Sequence, residues 1–216
     1  AGRDALKGTE THGEEVASIV AGNYNGSQTV GLAFDATILA IRADNSLGTF
    51  SDTDLANAID YARIHGARVV NLSLGSSDLT SAVLRNAIQS ATNAGVILVF
   101  SAGNEGQSGA TQPEYPGFLA TNAAVSHGLI LIAGGLNSNG AVNTSSNPPG
   151  TAADWYLTAP GWQIVVPDFG APGGDPHFQT CSTGPSGAVC QVQGTSFAAP
   201  QLVAAVGEFR MEELIE

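Results

Sequence analysis

Apolar and polar positions along this chain switch repeatedly between helical and strand-like spacing. From His12 to Gly22, Val16, Ile19 and Val20 recur at helical intervals behind Glu14 and Glu15, two acids that suit the positive end of a helix dipole. Ala36 to Ala43 predicts a strand. Ser51, with Asp54 three positions later, forms a capping-box signature that opens a helix through Leu55, Ile59 and Tyr61 and stops near Gly66. Arg68 to Leu74 predicts the next strand. A helix comes next over about Leu79 to Ala94, with Val83, Leu84, Ala87, Ile88 and Ala91 on one face and Gly95 at its end. Val96 to Ala102 is apolar apart from Ser101, which marks a strand buried on both faces. Near the C-terminus, Ser196 opens an apolar segment, Ala198, Ala199, Leu202, Val203, Ala205 and Val206, that predicts a buried helix. The alternation predicts an α/β fold, a doubly wound and mostly parallel sheet with helices on both faces. Ligands in that architecture bind beyond the carboxyl ends of the strands.

Composition narrows the partners. With 216 residues, 43% of them hydrophobic, the chain can bury one core, and 1–216 is expected to be a single domain. Its 7 basic and 19 acidic residues give a net charge of −12, which argues against nucleic acid and anionic membranes as partners. No apolar run approaches the ~20 residues of a membrane span, and Ala1-Gly2-Arg3-Asp4 carries no signal-peptide core, so an export signal is expected upstream if there is one. Cys181 and Cys190 flank a turn-rich stretch with Gly184, Pro185 and Gly187. A disulfide closing it would contribute ~2–3 kcal/mol and suit an oxidising compartment, although two free thiols fit the spacing equally.

The chemistry gathers at strand ends. Val69-Val70-Asn71-Leu72 runs into Ser73-Leu74-Gly75, and Ile97-Leu98-Val99-Phe100 runs into Ser101-Ala102-Gly103-Asn104-Glu105-Gly106. The Asn104 amide can donate to a developing negative charge, yet Asn beside Gly is also ordinary turn chemistry. Ser196 stands where a helix begins, so it reads either as an N-cap or as a nucleophile whose oxyanion would meet unpaired N–H groups. His12 reads as a general base or as a helix-cap residue. His65, His127 and His177 fall in a helix end, a loop and a Gly/Pro-rich stretch and carry no expected role. No two histidines have metal-ligand spacing, so zinc hydrolysis is disfavoured and no metal is expected.

Five segments occur in one order: Thr11-His12-Gly13-Glu14-Glu15-Val16-Ala17, Ser73-Leu74-Gly75, Ala102-Gly103-Asn104-Glu105-Gly106, Ala159-Pro160-Gly161 and Gly194-Thr195-Ser196-Phe197-Ala198-Ala199-Pro200. The series resembles the subtilisin-like serine proteases, the subtilase (peptidase S8) family, from about Thr11 to Val206. That resemblance implies a serine endopeptidase with Ser196 as acylated nucleophile and His12 as general base and acid. Asn104 becomes the side-chain half of the oxyanion hole, with the Ser196 backbone N–H as the other half. Ser73, Leu74 and Gly75 would pair with the backbone of a protein or peptide substrate by strand addition. Ala102, Gly103 and Asn104 would form the opposite wall of the pocket for the side chain preceding the cut bond, with Glu105 at its rim favouring basic or neutral side chains. The family also implies secretion or a cell-surface location. The run Asp154 to Gly161 resembles passenger domains of Gram-negative autotransporters.

Departures from the family pattern set further expectations. The family's triad runs Asp, His, Ser, with the Asp some thirty residues ahead of the His. Only eleven residues precede His12, and Asp4 among them reads as a loop acid. The domain is therefore expected to be incomplete at both ends, the Asp to come from an upstream processed segment, and this chain alone to be weakly active or inactive. The competing expectation is an impaired subtilase-like fragment that binds peptides or serves assembly. Asn23 to Thr29 stands where some members bind calcium, but the stretch has no acid before Asp35, so no cofactor is expected there. Residues 165–192, rich in Gly and Pro and holding both cysteines, are expected to form an insertion loop.

Overall fold

The computed structural model describes residues 11–26, 28–45, 49–169, 178–184 and 187–212. Its centre is a parallel sheet in the order β1 (Val69–Leu72), β2 (Ile97–Ser101), β3 (Ile130–Leu136) and β4 (Tyr156–Pro160). Side chains alternate across a strand, so β2 sends its residues by turns into two different layers. Leu98 and Phe100 pack with Leu72, Ile130 and Ile132 against Leu55, Ile59, Leu84 and Ile88 of helices α2 (Asp52–Ile64) and α3 (Ala82–Asn93). Ile97 and Val99 face the other way, against Ala198, Ala199, Leu202 and Val203 at the start of α5 (Ala199–Glu212). Helices thus cover both faces, as the apolar run Val96 to Ala102 predicts.

The helix starts obey their sequence signals. Ser51 accepts from the Asp54 N–H at 3.1 Å and donates its hydroxyl to Asp54 Oδ2 at 2.7 Å, so the capping box forms. Ser81 caps α3 by accepting from the Leu84 N–H. Helix α1 (His12–Ala21) packs on α5 and on the second sheet through Val16, Ile19 and Val20. Glu14 and Glu15 both lie in its first turn, but Glu15 is fully buried and accepts the Thr11 hydroxyl at 2.7 Å, so it serves the interior as well as the dipole.

Two expectations fail. Residues 36–43 form no strand; among the described residues the pairing nearby is a bridge between Asp44 and Phe50, and Ile38 and Leu39 stay 44% and 42% exposed. Apolar composition alone does not make a strand where no ladder partner lies alongside among the described residues. The stretch 165–192 is not a surface loop within its described part. It contributes to a three-stranded antiparallel sheet, β5 (Trp162–Pro167), β7 (Gly187–Gln193) and β6 (Phe178–Gly184) in that order. Alternation along β7 buries Cys190 and Val192 with Val166, Val16 and Phe197. Cys181 and Cys190 are cross-strand partners in this hairpin and form a disulfide.

Candidate functional site

Ser196 lies in a single 3₁₀ turn, Thr195–Phe197, that leads into α5. Hydrogen bonds from Phe197 N–H to Gly194 O and from Ala198 N–H to Thr195 O close the turn, both at 3.1 Å. Gly194 enters it at φ 129°, in the region that only glycine adopts without strain. The approach to the turn is equally tight: the Gly194 N–H donates to Gly161 O at 2.7 Å, and a Cβ on Gly161 would stand 3.0 Å from both Gly194 O and Gly135 Cα. Ala159-Pro160-Gly161 therefore acts as the seat of the Gly194-Thr195-Ser196 segment. Ser196 does not act as the N-cap of α5, which begins three residues later. Its hydroxyl points instead toward Ser73 O at 3.5 Å, beyond good hydrogen-bond length, and the group is 8% exposed.

The strand ends converge on this turn. The Ser73 hydroxyl donates to Ser196 O at 2.7 Å and accepts from the Asn71 amide at 2.9 Å. Asn104 Oδ1 accepts from both the Thr195 N–H at 2.9 Å and the Thr195 hydroxyl at 3.1 Å. With its oxygen engaged there, the amide nitrogen is the end left to donate, and a Cβ on Gly194 would stand 3.4 Å from it. Gly103 N–H donates to Thr195 Oγ1 at 3.2 Å. His12, the first residue of α1, sets its ring edge-on to Phe197, with centroids 5.3 Å apart. Ser196, His12, Asn104, Ser73 and Gly103 are thus assembled from four separate parts of the chain. The remaining histidines stand elsewhere: His65 caps α2 and stacks on Tyr61, and His127 comes directly after α4 (Ala123–Ser126) beside Thr92. His177 and Asp4 lie outside the described residues.

Two residues of the site escape sequence reasoning. Asn147, 2% exposed, donates its backbone N–H to Gly103 O at 3.1 Å, while its side chain accepts from the Glu105 N–H at 2.7 Å and donates to Glu105 Oε2 at 3.2 Å. It braces the loop that carries Asn104, but in Ser146-Asn147-Pro148-Pro149 it reads only as a turn residue. Glu114 is the other. Its backbone N–H donates to Ala102 O at 3.0 Å, and the neighbouring Tyr115 pairs with Ser76 through both backbone bonds. The chain at 114–115 therefore bridges the segment after β1 to the segment after β2, and the Glu114 carboxyl rises between Gly75 and Gly103.

Burial, then the charge of Glu105 and the hydrogen bond to it, push the Glu114 carboxyl from its usual 4.5 up to about 7. An acid with a raised folded value holds its proton more tightly folded than unfolded. Its contribution to stability is present below 4.5 and lost as pH rises through about 7. Melting temperatures of the unmodified protein and Glu114→Gln are expected to diverge over that range, the unmodified protein losing on the order of 1 kcal/mol relative to the variant once solvent screening of this half-exposed group is allowed for. Parallel melting curves from pH 4.5 to 7.5 would contradict the shift.

A serine held in a buried turn that leads into a helix packed on a parallel sheet, with Asn104 bonded to the same turn and the His12 ring set against Phe197, defines a class of doubly wound α/β proteins. Within that class the chain belongs to the subtilase family, whose model matches residues 1–210. It is 31% identical to thermitase of Thermoactinomyces vulgaris over 91% of this chain and 60% of that protein. It is 40% identical to the thermophilic serine proteinase of Bacillus sp. (strain AK1) over 52% of this chain and 28% of that protein. The chain spans about 60% or less of the length of these two curated relatives. Among solved structures, the prenylagaramide maturation protease PagA superposes with a TM-score of 0.71 at 26% identity, over 94% of this chain and 66% of that one. The protease domain of PatA superposes at 0.75 over 99% and 69%, and at 24% identity it speaks for the fold alone.

Proposed function

We propose that this domain is a serine endopeptidase in which Ser196 Oγ attacks the peptide carbonyl carbon and passes its proton to His12. The carbonyl electrons move onto oxygen, and the Asn104 amide and the Ser196 N–H receive the resulting oxyanion. Collapse expels the amine, which takes the proton from His12 and leaves an acyl-enzyme on Ser196. Water, deprotonated by His12, then releases the acid. Backbone pairing of an extended substrate falls to Ser73, Leu74 and Gly75. The observation that supports this reading is the pair of bonds from Thr195 to Asn104 Oδ1, which leaves the amide nitrogen as the end available to donate. The disulfide in β6 and β7 supports an oxidising location, outside the cell or on its surface.

A carboxylate contributed by an upstream segment would orient the His12 ring for these proton transfers. Beside residues 36–41, which join no ladder among the described residues, Leu32 and Phe34 are 56% and 46% exposed, an apolar surface fit to receive an added strand. Asn71 Oδ1, buried on β1 without a partner among the described residues, supplies an acceptor on the site side of that strand. A fluorophosphonate probe is expected to modify Ser196, located by mass spectrometry, and labelling is expected to disappear in Ser196→Ala. Modification of a different serine would reject the nucleophile.

A further inference from the structure

We propose that Glu114, with Glu105 beside it, makes the pocket for the side chain preceding the cut bond a receptor for lysine or arginine. The inference rests on the endopeptidase reading and names the substrate that site would take. The pocket is set by its walls, not by the acids: Ser73, Leu74 and Gly75 on one side, Ala102, Gly103 and Asn104 on the other, both bonded to the Ser196 turn. Glu114 is its floor. The backbone bonds of residues 114 and 115 to Ala102 and Ser76 hold that floor to both walls. Phe118 N–H donates to Glu114 O at 3.0 Å and anchors the floor from behind.

Both walls are bare of side chain where the carboxyl stands. A Cβ on Gly75 would collide with Glu114 Oε2, and one on Gly103 would stand 2.7 Å from Glu114 Cγ and 2.8 Å from Glu105 Oε2. Glu105 is held in that position by the Asn104 N–H at 2.8 Å and the Asn147 amide at 3.2 Å. Two carboxyl groups therefore meet at the base of one cleft, and among the described residues neither forms a salt bridge. Facing acids repel once both ionise, and a cation between them reverses the sign of that energy. A large apolar side chain would have to bury the same carboxylates without replacing their water, which is costly. An acidic side chain would add a third negative charge.

The test compares how fast two peptidyl phosphonates, alike except for lysine or leucine next to phosphorus, modify Ser196 in the full chain at pH 8. The lysine reagent is expected to react at least about tenfold faster, the scale of one desolvated charge pair. In Glu114→Gln the ratio is expected to fall toward unity, and in Glu114→Lys a glutamate reagent should overtake the lysine one. Equal rates for lysine and leucine in the unmodified protein, with Ser196 still labelled by a small fluorophosphonate, would overturn the inference alone. Failure of every reagent at Ser196 would reject the endopeptidase reading. In that event a lysine scan through an uncharged peptide, with binding measured by fluorescence anisotropy, decides the role of Glu114. A single position made tighter by lysine and insensitive in Glu114→Gln supports it, and uniform binding rejects it.

Discussion

Replacing Ser196 or His12 by alanine is expected to lower peptide turnover by about 10⁶-fold when the orienting carboxylate is supplied, but only by about 10² when it is not. The two values differ because a triad acts as a unit. In subtilisin, removal of the serine or histidine costs about 2 × 10⁶ in turnover and removal of the aspartate alone about 3 × 10⁴, so a background already lacking the acid has less to lose. The size of the Ser196→Ala effect therefore measures whether His12 is oriented. Folding should be spared, because among the described residues the serine hydroxyl makes no hydrogen bond shorter than the 3.5 Å approach to Ser73 O, and the turn is closed by backbone bonds. Turnover measured on one peptide for the unmodified protein and both variants, alone and with an upstream polypeptide added, distinguishes the cases. An unmodified protein matched by Ser196→Ala under both conditions would leave the fold as a peptide-binding module.

Asn104→Ala is expected to lower kcat by about 10²–10³ with little change in KM, since in the proposed mechanism the amide contacts charge that exists only in the transition state. The magnitude is the one measured for the corresponding kind of donor in subtilisin and is carried over from that relative. The substitution also removes the acceptor for Thr195 N–H and Oγ1, so a shifted turn would add to the loss. Thr195→Val separates the two. It removes the hydroxyl bonds to Gly103 and Asn104 but keeps the β-branched shape and the backbone bond to Asn104. A fall in kcat of about tenfold or less is expected there, the cost of one neutral hydrogen bond. If Asn104→Ala and Thr195→Val lose equally, Asn104 positions the turn and does not receive the oxyanion.

The elements that sequence reasoning located are those whose signals are local. The cap at Ser51 and the apolar run Ile97 to Phe100 of β2 arise from spacings of a few residues, and both appear in the structure. Ser196, His12 and Asn104 stand in short motifs with a recognisable order. The hairpin holding Cys181 and Cys190 was hidden because Gly and Pro mark turns without telling whether the stretches between them pair. The stretch 36–43 misled for the converse reason: its residues favour a strand, but a strand exists only where another backbone lies alongside.

The sequence by itself determined the elements with local signals, such as the capped α2 and the central strand β2, and which residue types are available for nucleophile, base and donor. Only the tertiary structure decided what meets what. Ser73 and Ser196 bond across 123 positions, and Thr195 reaches Asn104 across 91. Glu114 shows the same division most clearly. No periodicity distinguishes it in Gln112-Pro113-Glu114-Tyr115-Pro116, and it comes to stand between Gly75 and Gly103 because the chain at 114–115 completes the backbone hydrogen bonds of Ala102 and Ser76. Periodicity reports how a residue faces its near neighbours, whereas charge, burial and proton affinity depend on the groups that folding carries to it from elsewhere in the chain.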